Sequence, residues 1–335
     1  SYQKILSVAK EEMNRGIFKH THGDFDGAIT EYTQAILKDP KSVSIYLNRG
    51  FAKKDKGDFD GAIADFNQAL LIDSQSWKAY LNRGTIKKDK DDIEGAIADY
   101  SQAISINPQC SLAYSNRGNA KHDKGNLDGA IADYSQAISL NPQYAITFNN
   151  RGNAKYAKKD FDAAIADYSQ AISINPQYSL AYLNRGNVKR EKDDLDGAIA
   201  DYSQAISINP QEFNAYHNRG LAKKDKGDFN GALLDYDQSI AINPQYSLAY
   251  SNRGLLKQNK GEDDGALTDF TRAIDLGTND PNIYVARGFL YSNKRESGKA
   301  KRDFIQFLQL TKNSNDPEVP RIRELIFGSF PDLKK

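Results

Sequence analysis

The chain of 335 residues carries 45 Lys and Arg against 44 Asp and Glu, a formal net charge of +1, and a single cysteine, Cys110. So even a balance supplies no one-signed field for a nucleic acid backbone or an anionic membrane surface, and one cysteine excludes an intrachain disulfide. No stretch approaches the roughly 20 apolar residues of a membrane helix and none reads as a signal peptide, so a reducing, cytoplasmic compartment is the expectation. Because the chain begins at Ser1 and not at methionine, a trimmed leader or further domains stay open.

Residues 2–22 read as one helix, with Tyr2, Ile5, Leu6, Ala9 and Met13 on a broken apolar stripe. From there one unit is copied every 34 residues without insertion. Its marker is Asn-Arg-Gly, beginning at Asn48, Asn82, Asn116, Asn150, Asn184, Asn218 and Asn252, with an outlying copy at Asn14 and a decayed one at Ala286-Arg287-Gly288. A constant period of this size predicts a solenoid whose units pack only on their neighbours. Within 145–178, Ala145, Phe148 and Gly152 share one face of a first helix over 145–158. Lys159-Asp160 is a turn, and a second helix over 161–173 carries Phe161, Ala164, Ile165, Tyr168, Ala171 and Ile172. Asp160 and Asp162 sit where a helix start takes acceptors and negative charge, and Asn175-Pro176 stops the helix. In the last copy Phe307 replaces a small residue and Lys312 replaces the proline, as a terminal unit allows. A capping helix over 318–327 and a loose tail over 331–335 are expected beyond it.

The order aromatic, Gly, Ala, aromatic, Ala, Pro stands at Tyr114, Gly118, Ala130, Tyr134, Ala137 and Pro142, and again at Tyr182, Gly186, Ala198, Tyr202, Ala205 and Pro210. It resembles the tetratricopeptide repeat (TPR) family over nearly the whole chain. The resemblance implies an all-α, right-handed superhelix of antiparallel helix pairs, with first helices lining the concave surface. It implies a single solenoid over 1–335: an extension over 1–8, about nine repeats over 9–314, and a C-terminal cap and tail over 315–335.

Two departures from the family pattern stand out. Arg, where the family usually has Leu, precedes the glycine in every copy from Arg15 to Arg287. Lys, where the family often has an aromatic, follows it by three residues at Lys53, Lys87, Lys121, Lys155, Lys189, Lys223 and Lys257. A guanidinium beside a packing face needs an anion, and the second helix offers Asp at a fixed distance, from Asp65 to Asp303. The pairs Arg117–Asp133, Arg151–Asp167 and Arg185–Asp201 are therefore expected as structural, within a repeat or across to the adjoining one.

Helical spacing puts Leu112, Asn116, Asn119 and His122 on one face, then Ile146, Asn150, Asn153 and Tyr156, then Leu180, Asn184, Asn187 and Arg190. This face opposes Phe148 and Gly152, so it looks into the groove. An amide both donates and accepts, as a peptide backbone does, so a row of Asn can grip an extended peptide without reading its sequence. In TPR proteins an Asn at this place often does so. The expected peptide-binding residues are Asn48, Asn82, Asn116, Asn119, Asn150, Asn153, Asn184, Asn187, Asn218, Asn252, Tyr156 and Arg190. The competing reading is that these amides bond neighbouring helices and hold the stacking. Phe51, Leu112, Ile146, Leu180, Leu183, Leu221 and Leu255 are expected to add shallow apolar pockets.

The function that follows is a non-enzymatic scaffold with a protein or peptide partner. An architectural spacer, or self-association through the terminal repeats, is the alternative; an RNA-binding solenoid is disfavoured by the balanced charge. A carboxylate clamp for chaperone tails would need Lys just before the ladder Asn, and the chain has Leu47, Leu81, Ser115, Asn149, Leu183, His217 and Ser251 there. No metal site, cofactor, catalytic group or small-molecule substrate is expected. His20 and His22 point to different sides of their helix, Cys110 has no histidine beside it, and no glycine-rich phosphate loop occurs.

Overall fold

The computed structural model describes residues 2–334. Among them nineteen α-helices and a closing 3-10 turn make up the regular structure. Eighteen helices alternate as nine antiparallel pairs, from Tyr2–Thr21 with Phe25–Lys38 to Pro281–Asn293 with Ser297–Leu310; Glu318–Ser329 follows. The chain divides into two compact units, Ser1–Pro176 with the first five pairs and Gln177–Lys335 with the remaining elements. No helix among the described residues is long and apolar enough to cross a membrane.

Local chemistry sets where each helix starts and stops. Second helices open on a repeated acceptor: Asp24, Asp58, Asp92, Asn126, Asp160, Asp194 and Asp228 each take the backbone N–H three residues on, satisfying one of the orphan donors of the first turn. The turn between paired helices requires a left-handed residue. Gly57 fills it at φ 91°, while Asp91, Lys159, Asp193 and Arg295 fill it at φ 62° to 65°. In the fifth pair the first helix closes at Ala157, just short of Lys158, and the second runs Phe161–Ile174. The next residue, Asn175, precedes a proline, and that steric restriction ends the helix.

The core of each compact unit is a row of small contacts. In the first, Ala130, Tyr134 and Ala154 form one cluster, and a Cβ added to Gly118 would stand 2.7 Å from the Tyr134 ring. In the second, Ala198, Tyr202 and Ala205 pack with Ala215 and Ala222. Only glycine lets the aromatic of the second helix lie against the first helix backbone at this distance. The last pair departs from the rule in size: Phe307 stands where other copies have alanine, and the helix Glu318–Ser329 lays Val319 and Ile326 over Phe304 and Phe307.

The tail corrects the expectation of looseness. Pro331–Lys334 forms a 3-10 turn, Phe330 stacks 5.3 Å from Phe304, Leu333 joins the same cluster, and Lys301 pairs with Asp332. Apolar contact through the partly buried Leu333 ties down a segment whose composition alone reads as polar. Lys335 lies outside the described residues.

The Gly118–Tyr134 contact generates a stability prediction. Gly118→Ala forces the ring aside and should destabilise by about 1–3 kcal/mol in urea unfolding. Gly298→Ala, in a helix with nothing within 4 Å of the added Cβ, should instead hold or gain stability by up to about 1 kcal/mol.

Candidate peptide-binding face

The arginine of each triplet sits at the centre of a charged staple. Arg117 donates from Nε and Nη2 to both oxygens of Asp133, at 2.8 and 2.7 Å, and from Nη1 to Ser101 Oγ of the preceding pair at 3.1 Å. Arg151 does the same with Asp167 and Ser135, and Arg185 forks onto Asp201 at 2.9 and 2.7 Å. The aspartates are nearly sealed, Asp133 at 5% exposure. Each also takes a lysine that sequence reasoning left without a role: Lys121 lies 2.8 Å from Asp133, Lys155 2.7 Å from Asp167 and Lys189 2.8 Å from Asp201. The signal was present as a constant spacing between Lys and Asp. In the first pair Glu31 takes the place of Asp, holding Arg15 and Lys19 at 3.0 and 2.8 Å. The guanidinium also lies over an aromatic ring of its own helix, 5.7 Å from Tyr114 for Arg117. Hydrogen bonding to Asp99 and Asp201 pushes the pKa of Arg83 and Arg185 further up, so these cations stay charged.

The asparagines occupy the other face of the first helices, and they do not all behave alike. In the first compact unit Asn150 Nδ2 donates to Asn119 Oδ1 at 3.0 Å, and the Tyr134 hydroxyl donates to the same oxygen at 2.8 Å. In the second, Asn218 Nδ2 and the Tyr202 hydroxyl both donate to Asn187 Oδ1, each at 2.9 Å. Asn153 Oδ1 accepts from Tyr168 at 2.8 Å. Asn82 turns back to its own helix, donating to Lys78 O at 2.8 Å. Asn48 and Asn116 are half-buried and make no side-chain hydrogen bond among the described residues, and Asn184 is half-buried on the helix Ser179–Glu191. Tyr156 packs 5.9 Å from Phe161, and Arg190 lies 3.8 Å from Asp225.

The tyrosine hydroxyls are the component that sequence reasoning missed. Burial pushes the ionisation of Tyr134 and Tyr168 well above the ordinary range, so each remains a donor to its asparagine. Around Asn119 and Asn150, the side chains of Lys88, His122, Asp123, Tyr134 and Asn153 complete a polar cleft of about 220 Å³. Lys88 lies 2.9 Å from Asp123, and Asp123 is also 3.8 Å from His122.

Of the apolar residues expected on this face, Leu112, Ile146 and Leu180 are exposed, at 47%, 43% and 43%. Leu183 is a correction: it is 7% exposed and belongs to the core of its pair. Phe51, Leu221 and Leu255 are half-buried and packed on their own cores. The residue just before the ladder Asn falls in the packing seam, with Leu81, Ser115, Asn149, Leu183, His217 and Ser251 all buried. His217 shows what this does chemically. At 3% exposure its Nδ1 is 3.2 Å from Asn218 Oδ1 and its Nε2 is 3.0 Å from Asn252 Nδ2, which fits the neutral ring with the proton on Nδ1. Burial pushes its pKa down to about 4.

Comparison with known proteins agrees with this architecture. A family model described as TPR repeat matches residues 20–57, 84–124, 118–159, 152–190, 186–227 and 222–261, and one described as tetratricopeptide repeat matches 43–76. No curated protein matches the sequence. Among solved structures, the C-terminal part of a TPR repeat-containing protein from Cytophaga hutchinsonii aligns with a TM-score of 0.58 at 18% identity, covering 71% of this chain and 97% of that one. A tetratricopeptide repeat protein from Parabacteroides merdae aligns at 0.57 and 20% identity, covering 74% and 98%. The APC/C hetero-tetramer Cut9–Hcn1 aligns at 0.56 and 15% identity, covering 92% and 74%. At these identities the likeness is one of fold.

Two measurements follow from the charges. In a double-mutant cycle of Arg151→Ala and Asp167→Ala, each single change should cost about 3–5 kcal/mol and the double clearly less than their sum; strict additivity would mean the pair is not coupled. His217 has a folded pKa of about 4, below its ordinary 6.5, so the unfolded chain binds the extra proton between those values. Stability should therefore be fully present above pH 6.5 and fall as pH drops towards 4, by about 3 kcal/mol in all. The His217→Asn variant should lack that component, read as the difference in urea unfolding between the two proteins across this range.

Proposed function

We propose that this chain, which belongs to the tetratricopeptide repeat family, is a non-enzymatic scaffold that holds an extended segment of a protein partner along the asparagine face of its first helices. The observation that carries the reading is the relay of Tyr134, Asn119 and Asn150. Both internal donors converge on one oxygen, Asn119 Oδ1. The Nδ2 group of Asn119 and the Oδ1 of Asn150 make no hydrogen bond among the described residues, and both side chains line the polar cleft. The scaffold thus orients the amides and leaves a donor on one and an acceptor on the next, the pair a peptide backbone presents in return. Holding the amides in place beforehand lowers the ordering cost of binding.

The same relay joins the two readings of the asparagine row. Its tyrosine-facing oxygen ties the paired helices together, and its remaining amide groups face the ligand. The charged staples take no part in recognition: Arg117 and Lys121 are spent on Asp133. Exposed Leu112 and Ile146, one turn before the ladder asparagines, supply apolar contact to side chains of the segment.

The test uses Asn116→Ala with Asn150→Ala, which leaves the bond between Tyr134 and Asn119 intact. Binding to an immobilised library of unstructured peptides should weaken about 5–150-fold, as expected for two lost hydrogen bonds of about 0.5–1.5 kcal/mol each. The circular dichroism spectrum should be unchanged and the melting temperature should move by only a few degrees. Unchanged binding would remove the asparagine row from recognition.

A further inference from the structure

In seven of the nine pairs the aromatic of the second helix is matched in polarity to the first-helix residue three places after the ladder position. Tyr134, Tyr168 and Tyr202 meet Asn119, Asn153 and Asn187, and Tyr100 meets Thr85 at 3.4 Å. Where the first-helix residue is apolar the hydroxyl is gone: Phe51 meets Phe66, Leu255 packs with Phe270, and Phe289 meets Phe304. Leu221 breaks this pattern. It packs on Tyr236, whose side chain is fully buried and whose hydroxyl has no hydrogen-bond partner. The other mismatch, Ile17 with Tyr32, is in the opening pair, and the Tyr32 hydroxyl is not among the buried atoms left unpartnered.

The surroundings of Tyr236 are the polar cleft of the first compact unit rewritten three repeats further along. Arg190, Lys224, Asp225 and Asn252 hold the places of Lys88, His122, Asp123 and Asn150, while Leu221 and Leu255 replace Asn119 and Asn153. The charge arrangement is kept, with Arg190 and Lys224 at 3.8 and 3.4 Å from Asp225. The amide relay is not. With no acceptor on Leu221, Asn252 Nδ2 turns to Leu248 O and His217 Nε2, both at 3.0 Å. Two leucines therefore stand where the other cleft has amides, above a donor that nothing in the scaffold uses. A buried hydroxyl without a partner is costly, and an acceptor on a bound group would satisfy it.

We propose that Leu221, Leu255 and the Tyr236 hydroxyl form a side-chain pocket that takes an aliphatic residue of the bound segment, whose backbone carbonyl accepts from Tyr236. This deepens the reading of the first-helix face as peptide-binding and rests on it. Access to the hydroxyl comes from rotation of the half-buried Leu221 side chain.

The experiment titrates the full chain with N-acetyl-leucine N-methylamide and with N-acetyl-asparagine N-methylamide, following leucine methyl and asparagine side-chain resonances. The leucine compound should shift the Leu221 and Leu255 methyl signals. Tyr236→Phe should weaken it about 2–10-fold with no loss of melting temperature, since the hydroxyl removed has no internal partner. Leu221→Asn, copying Asn119 above Tyr134, should abolish the response in a fully folded protein. Unmoved leucine methyls, or equal affinity in Tyr236→Phe, overturn the pocket. If that happens while the asparagine compound still shifts the Asn116 and Asn150 amides, the pocket fails alone; if no resonance responds, the peptide-binding reading falls with it.

Discussion

A carboxylate almost removed from water must be matched by cations that approach it closely, and this requirement organises the molecule. Asp133, like its counterparts from Asp65 to Asp269, receives a two-point arginine fork and a lysine, with both cations on the partner helix. A buried carboxylate has a high desolvation cost, and a planar fork recovers most of it because the geometry is bidentate and the cation stays charged. The third donor of the guanidinium then reaches Ser101 in the preceding pair, or Ser135 in the case of Arg151. One side chain therefore fixes the angle within a pair and the register to its neighbour. The surface adds a weaker copy of the same idea, with Lys56 on Asp26 and Lys90 on Asp60, where solvent screening leaves each exposed pair worth little.

With the arginine committed to the scaffold, the opposite face of the first helix is free to vary. Near-identical second helices carry Gly-Ala-Ile-Ala-Asp-Tyr-Ser-Gln-Ala-Ile in several copies, while the first helices change at Thr85, Asn119, Leu221 and Phe289. The conserved chemistry of the staple and the changing chemistry of the face have different physical causes. The first answers to burial, which is the same in each pair. The second follows the aromatic it meets on the second helix, with Asn119 beside Tyr134 and Phe289 beside Phe304. The tyrosine hydroxyls connect the two: Tyr134 packs as an aromatic against Gly118 and acts as a donor at Asn119.

The helix pairs, their turns and the arginine–aspartate spacing are legible in the residues because they rest on local rules: capping acceptors, left-handed turn residues, proline stops and a fixed period. The tail is a counterexample. Pro331–Lys334 has no local signal for order, and it is held because Phe330 and Leu333 meet a hydrophobic cluster built by helices earlier in the chain and Lys301 pairs with Asp332. Leu183 misled in the same way. Helical spacing puts it near the ladder face, but the crossing of neighbouring helices decides that this strip is a seam.

By itself the sequence determined an all-helical repeat architecture, the place of each close helix contact at glycine, and a row of amides on one face. Short-range sterics and a strict period specify those features, and both can be read along a chain. Only the tertiary structure decided which atoms of the amides are used inside the scaffold. That outcome depends on where the Tyr134, Tyr202 and Tyr236 hydroxyls fall relative to residues on another helix. A hydrogen bond is made or missed over a few tenths of an ångström, and the spacing of residues along a sequence carries no information at that scale.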